Sequence, residues 1–267
     1  MLETLSYTFM QNALLAGVIV GITTAIIGSL VVVNKMVFLS GGIAHSAYGG
    51  IGLAIYFGLP MLLSTSVFCV IIAILIAMAS YKNREDLDML IGLTWAAGMS
   101  FGIILVDLTP GYQSDLMSYL FGSLLAVSST DIYYMSGLLL LVIATLVVFY
   151  RDILAVSYDS EYARLRGVNT KLFYTLILVL SSLTIVISIK VVGLILVIAL
   201  LTIPIYIASF FAKNLFSMMF ISAGLSIVFT LAGLTLSYSF DLSSGPSIII
   251  VSSLCAFVLY LLKGFKN

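Results

Sequence analysis

The chain has 267 residues, 62% of them hydrophobic and only 8% charged, with a formal net charge of zero. A soluble domain carries about 25% charged residues because its surface must face water. A soluble fold is therefore excluded, and most of this protein's surface faces an apolar medium. The zero total says nothing about partners, but the placement of the charges along the chain does.

Met1 to Ser6 holds Glu3 and no basic residue, whereas a secretory signal begins with positive charge. The first segment therefore reads as a retained span. About 20 residues of helix cross the hydrocarbon, so charge-free runs mark the crossings. None of the residues between Glu3 and Lys35 is charged, and none between Lys35 and Lys82, a stretch long enough for two spans joined near Gly58-Leu59-Pro60. The first of that pair contains "FLSGGIAHSAYGG", which places His45, the chain's only histidine, among four glycines. At helical spacing Gly41, His45 and Gly49 share one face and Gly42, Ser46 and Gly50 the next. Small residues there let a neighbouring helix approach, so His45 is expected to face protein or a cavity. It reads either as a ligand or as a packed histidine bonded to a neighbouring carbonyl. Cys69 and Cys255 lie in apolar runs with no CxxC spacing and read as packing residues.

Further charge-free runs cover 89–106, 132–150, 172–189, 191–212, 214–240 and 242–262, for nine candidate spans in all. The run 116–130 is also uncharged, but short and rich in Ser and Gly, and reads as re-entrant or interfacial. Pro204 is expected to break the short span 191–208 and free backbone carbonyls, or else to serve as a packing kink. Trp95 reads as lipid-facing or core. Lys and Arg favour the cytoplasmic side. Nine spans with 151–171 inside place Lys35, Lys82, Arg84, Arg151, Arg164, Arg166, Lys171, Lys213, Lys263 and Lys266 inside and only Lys190 outside. Glu3, Asp107, Asp115, Asp131 and Asp241 then fall on the outer side, a sign pattern that concentrates cations. Asp241 and Asp107 are the best acids for an outer mouth, and each can equally be a helix cap.

The longest polar connection is "YRDILAVSYDSEYARLRGVNTK", 150–171. Asp159 suits a helix N-cap, Glu161 the first turn, Arg164 and Arg166 the last turn, and Gly167 the stop. A helix of about two turns is expected over 159–167, too short to be stable alone, as a docking element or a solvated linker. No GxxxxGK[ST] loop, HExxH or plausible Ser-His-Asp set is present. Mid-membrane carboxylates of the kind that relay protons are also sparse. Transport by this chain would thus draw its energy from another subunit.

"DSEYARLRGV" resembles the "D-P-E-x-A-R-x-x-G" loop of the metal-ion ABC importer permeases, the zinc/manganese/iron group of the ABC-3 family. "DLMSYLFGSLLAVSSTD", 115–131, is similar to that family's "L-x-S-Y-L-F-G-x-I-L-A-V-S". "VVGLILVIALLTIPIYIA", 191–208, is similar to its "V-G-x-L-L-V-x-A-L-L-x-x-P-A-A", and "DLSSGPSIII", 241–250, to its "D-x-P-S-G-x-x-I". With the His45 segment, matched to "G-D-A-L-S-H-A-V-L-P-G", the resemblance covers nearly the whole chain. It implies an all-α integral membrane protein of the vitamin-B12-importer type, a single permease domain over 1–267 with about nine transmembrane helices and a re-entrant segment.

The resemblance further implies a multi-pass protein of a prokaryotic inner membrane that is a transport subunit and not an enzyme. It would be a homodimer, with a separate ABC ATPase below and an extracytoplasmic metal-binding protein above. No cofactor is bound permanently, and the cargo is Zn2+, or Mn2+ or Fe2+. Asp159, Glu161, Arg164 and Gly167 take the place of the loop that couples to the ATPase, and His45, Asp241 and Asp107 become candidates for the metal path. One position departs from the family: the acid one turn before the histidine is Gly41 here. The residues alone leave open a stand-alone carrier or channel, an intramembrane enzyme and a structural membrane subunit.

Overall fold

The computed structural model describes residues 8–81, 87–109, 122, 124 and 127–264. Within them the protein is helical, as a chain without water around its backbone must be unless it closes a barrel. In chain order the helices are α1 (Thr8–Val33), α2 (Val37–Phe57), α3 (Met61–Ser80), α4 (Leu87–Asp107), α5 (Ser129–Tyr158), α6 (Ser160–Leu165), α7 (Thr170–Val192), α8 (Leu194–Ser209), α9 (Leu215–Phe240) and α10 (Ser244–Gly264). Among the described residues seven of these, α1, α3, α4, α5, α7, α9 and α10, are long and apolar enough to cross a membrane. Helix α2 has the length, at 21 residues, but glycines, serines and His45 dilute its apolar character. Helix α8 is apolar but has 16 residues.

The chain folds into two compact units. One gathers residues from 1–32, 117–141 and 188–267, the other from 33–116 and 142–187. In the first unit α9 packs on both α8 and α10. Helix α1 reaches close to α8 and α9 through glycines: a Cβ on Gly17 would sit 2.5 Å from Thr230 Cγ2, and one on Gly28 would sit 2.6 Å from the Leu201 carbonyl oxygen. This is the small-residue packing of membrane helices, which lets backbones approach where hydrophobicity gives no drive between helices. Asn214 caps α9 through the Ser217 amide at 2.8 Å. Asp241 closes that helix in the left-handed region, at φ 53°.

Two of the expected boundaries move. The run 191–208 is broken at Gly193, where φ is 81°, and α8 then carries Pro204 inside it. Gly193 takes a positive φ that favours glycine, and Gly122, also at positive φ, lies against it with no room for a side chain; a Cβ on Gly122 would meet the Gly193 nitrogen at 2.2 Å. The two glycines belong to separate stretches that resembled the permease family, and the fold brings them together. The connection expected from residue 150 begins instead as helix: α5 continues to Tyr158, with a non-helical residue at Phe149 (φ −114°, ψ 16°). Of the expected re-entrant segment 116–130, residues 116–121, 123, 125 and 126 lie outside the described residues, as do Glu3, Asp115, Lys82, Arg84 and Lys266.

In the second unit α2 packs on α3 and α4. The turn between α2 and α3 is made at Gly58, at φ 66°. Ser64 Oγ donates to the Gly50 carbonyl across that hairpin at 2.9 Å. The approach of α2 to α4 is closer still. A Cβ on Gly98 would lie 2.9 Å from Ser46 Cα, and one on Gly102 would lie 2.1 Å from the Tyr48 oxygen. Ser46 Oγ is 2.7 Å from the Gly42 carbonyl of its own helix and 2.9 Å from the Thr94 carbonyl of α4. The glycine-rich stretch therefore does what its spacing suggested, and it fixes the position of His45.

Candidate functional site

His45 lies near the middle of α2, between the buried Ala44 and Ser46. Its imidazole stacks on the indole of Trp95 from α4, with ring centroids 4.2 Å apart and planes inclined by 9°. The other neighbour of that indole is Phe38, at 6.0 Å. The ring is half-buried, and Nδ1 is fully buried with no hydrogen-bond partner among the described residues. The imidazole faces protein, as the spacing of its small neighbours suggested, and no carbonyl among the described residues receives Nδ1.

Trp95 was not expected near the site. The signal was available in the spacing of Ile91, Trp95, Gly98 and Gly102, which recurs at four, three and four residues and marks one face of α4. All four positions meet α2: Trp95 stacks on His45, a Cβ on Gly42 would clash with Ile91, and Gly98 and Gly102 face Ser46, Tyr48 and Gly49.

Asp107 stands apart from this pair. Asp107 is the last residue of α4 and is exposed; it lies twelve residues beyond Trp95, about 18 Å along the helix. Asp241 is exposed in the other unit, where its backbone closes α9. Asp131 pairs with Lys190. Its carboxylate also accepts from Ser128 Oγ at 2.6 Å, and its amide N donates back to that oxygen at 3.3 Å. One basic and one acidic residue assigned to the outer side thus meet at the start of α5 and the end of α7. Among the described residues no group of three or more His, Cys, Asp or Glu side chains is placed to hold a metal ion. Gly41, where the family carries an acid, supplies no ligand.

The second candidate element is α6. Asp159 Oδ1 accepts from the Glu161 amide at 3.1 Å and from the Tyr162 amide at 2.9 Å. At the other end the Gly167 amide reaches the Arg164 carbonyl at 3.0 Å and the Val168 amide reaches Ala163 at 3.1 Å. That is a Schellman closure, with Gly167 at φ 83°. Both caps read from the sequence are formed. Ala163 is completely buried and holds the helix to the protein, while Leu165 is 85% exposed and Tyr162 53%. Arg166 lies over the Tyr162 ring, 5.6 Å from its centroid. A six-residue helix so tightly capped presents an apolar and mixed-charge outer face, with Glu161, Arg164 and Arg166 all exposed.

The fold is that of a polytopic membrane protein with a short, capped helix connecting two spans. Residues 6–263 match the ABC 3 transport family, and the chain belongs to that family of ABC transporter permeases. It is a multi-pass protein of the cytoplasmic membrane. An "Uncharacterized membrane protein slr2045" from Synechocystis is 45% identical to it over 95% of this chain and 90% of the relative. The "High-affinity zinc uptake system membrane protein ZnuB" of Haemophilus influenzae is 34% identical over 96% of both chains. The "Manganese transport system membrane protein MntC" of Halalkalibacterium halodurans is 32% identical over 94% of this chain and 86% of its own. Among solved structures, "PsaBC from Streptococcus pneumoniae in complex with Fab" superposes with a TM-score of 0.85 at 29% identity, over 96% of this chain and 93% of that one.

Proposed function

We propose that this protein is the membrane-spanning subunit of an ATP-driven importer for a divalent transition-metal ion, with zinc favoured over manganese or iron. The observation that carries the reading is His45, held at mid-helix where glycines bring α2 and α4 together. One relative is named for zinc and another for manganese, so the cargo class has support from both. Zinc is preferred because an imidazole is kept and the neighbouring oxygen ligand is lost at Gly41, which moves the site away from hard cations. A metal there completes its coordination with water or with another oxygen.

The chain acts as one permease domain of nine crossings, α2 and α8 included, in the arrangement of the vitamin-B12 importers, and functions as a homodimer. Alternating access is driven by a separate ATPase that docks on residues 159–167, with Asp159 and Gly167 shaping the helix and Glu161 and Arg164 making the contact. An extracytoplasmic metal-binding protein delivers the ion to the outer face, where Asp107 and Asp241 attract it. Pro204, which can give no N–H to the Leu200 carbonyl, leaves that carbonyl free beside the path.

The test is His45→Ala in the assembled transporter. Metal flux into proteoliposomes should fall at least tenfold while the ATPase still co-purifies. Normal flux would remove His45 from the path.

A further inference from the structure

We propose that Trp95 is the positioning residue for the His45 imidazole, setting the direction in which its one accessible nitrogen meets the metal. The proposal rests on the reading of His45 as a metal-path residue. A metal-bound histidine is ordinarily oriented by a hydrogen bond from its other ring nitrogen to a carbonyl or carboxylate. Among the described residues that device is absent, because Nδ1 is buried without a partner there. The stack on Trp95 takes its place. With centroids 4.2 Å apart and planes 9° from parallel, the indole covers one face of the imidazole and fixes its plane. Coordination runs in the ring plane, along a nitrogen lone pair, so a facial stack orients the ligand without obstructing it. Nδ1 is sealed, and Nε2 is left as the ligating atom.

The indole is itself held in register. Ile91, one turn before it, fills the space that Gly42 leaves, and Gly98, just after it, lets α4 lie against Ser46. Ser46 Oγ reaches the carbonyl of Thr94, the residue next to Trp95, at 2.9 Å. Both sides of the stack are thereby tied to the same helix contact.

Two measurements test this. In proteoliposomes containing the transporter assembled with its ATPase, Trp95→Leu should raise KM for Zn2+ roughly two- to tenfold, the range expected for loss of one aromatic pair, with kcat changed much less. Trp95→Phe, which keeps a stacking ring, should recover most of the affinity. Trp95 is also the chain's only tryptophan, so the emission of the purified full chain reports on this indole. Zn2+ should change that emission saturably in the wild-type chain and not in His45→Ala. A wild-type KM in Trp95→Leu, or a fall in kcat alone, overturns the positioning role while a flux-dead His45→Ala leaves the metal path in place. Normal flux in His45→Ala overturns both. If the Trp95 variants do not assemble, the emission titration decides, and an unresponsive wild-type chain overturns the proposal.

Discussion

A Cβ on Gly102 would lie 2.1 Å from the Tyr48 oxygen and 2.8 Å from the Gly49 nitrogen, both backbone atoms that have nowhere to move. Gly92, ten residues earlier on the same helix, has nothing within 4 Å. Gly102→Ala should therefore cost about 1–3 kcal/mol through overpacking, and Gly92→Ala should gain up to about 1 kcal/mol of helix propensity. Thermal unfolding of the two variants in detergent checks this: Tm falls for the first and is level or higher for the second. Equal shifts would mean that the α2–α4 contact is looser than described. The contact is plain in the sequence from the α2 side, and on α4 only as a four-three-four spacing of Ile91, Trp95, Gly98 and Gly102. The glycines around His45 announce close packing, because no other residue lets two backbones approach so nearly. They do not say which helix arrives, and Trp95, fifty residues away, looked like any aromatic residue in a membrane helix.

At the scale of elements, α6 shows how much of a short helix is written locally. Asp159, Glu161, Arg164 and Gly167 were all readable as caps and dipole partners because caps act within one turn, and the hydrogen bonds at both ends are formed. Asp159→Ala removes two of them and should destabilise the helix by about 0.5–2 kcal/mol. Together with Glu161→Ala and Arg164→Ala it should lower the metal transported per ATP hydrolysed in the reconstituted transporter; an unchanged ratio in all three would end the docking role. The boundaries that moved were those set from outside. Pro204 was expected to break α8, but the chain turns at Gly193, where Gly122 presses against it. The α5 helix was expected to end near residue 150. It runs on to Tyr158 past Phe149, whose ring meets Phe173 at 5.5 Å.

For the whole molecule, energy supply is the property to test. Among the described residues no cluster of acids and histidines offers a metal or proton relay, and the sequence carries no nucleotide loop. The chain alone in liposomes should show no metal accumulation, and addition of the ATPase should make uptake ATP-dependent. Uptake driven by an ion gradient without the ATPase would establish a stand-alone carrier instead. The two compact units are each built from segments distant in sequence, such as 1–32 with 188–267. No local pattern marks such a division, because both units are drawn from the same apolar alphabet.

The sequence by itself determined that this is a membrane protein, the order of its apolar helices, which loop is capped, and which family its motifs belong to. Those are consequences of hydropathy, of capping and of residue order, all of which act over a few turns or are carried in the chain itself. Only the tertiary structure decided what His45 meets. A half-buried imidazole is defined by the ring stacked on it, and that ring belongs to a helix that folding brings from elsewhere in the chain.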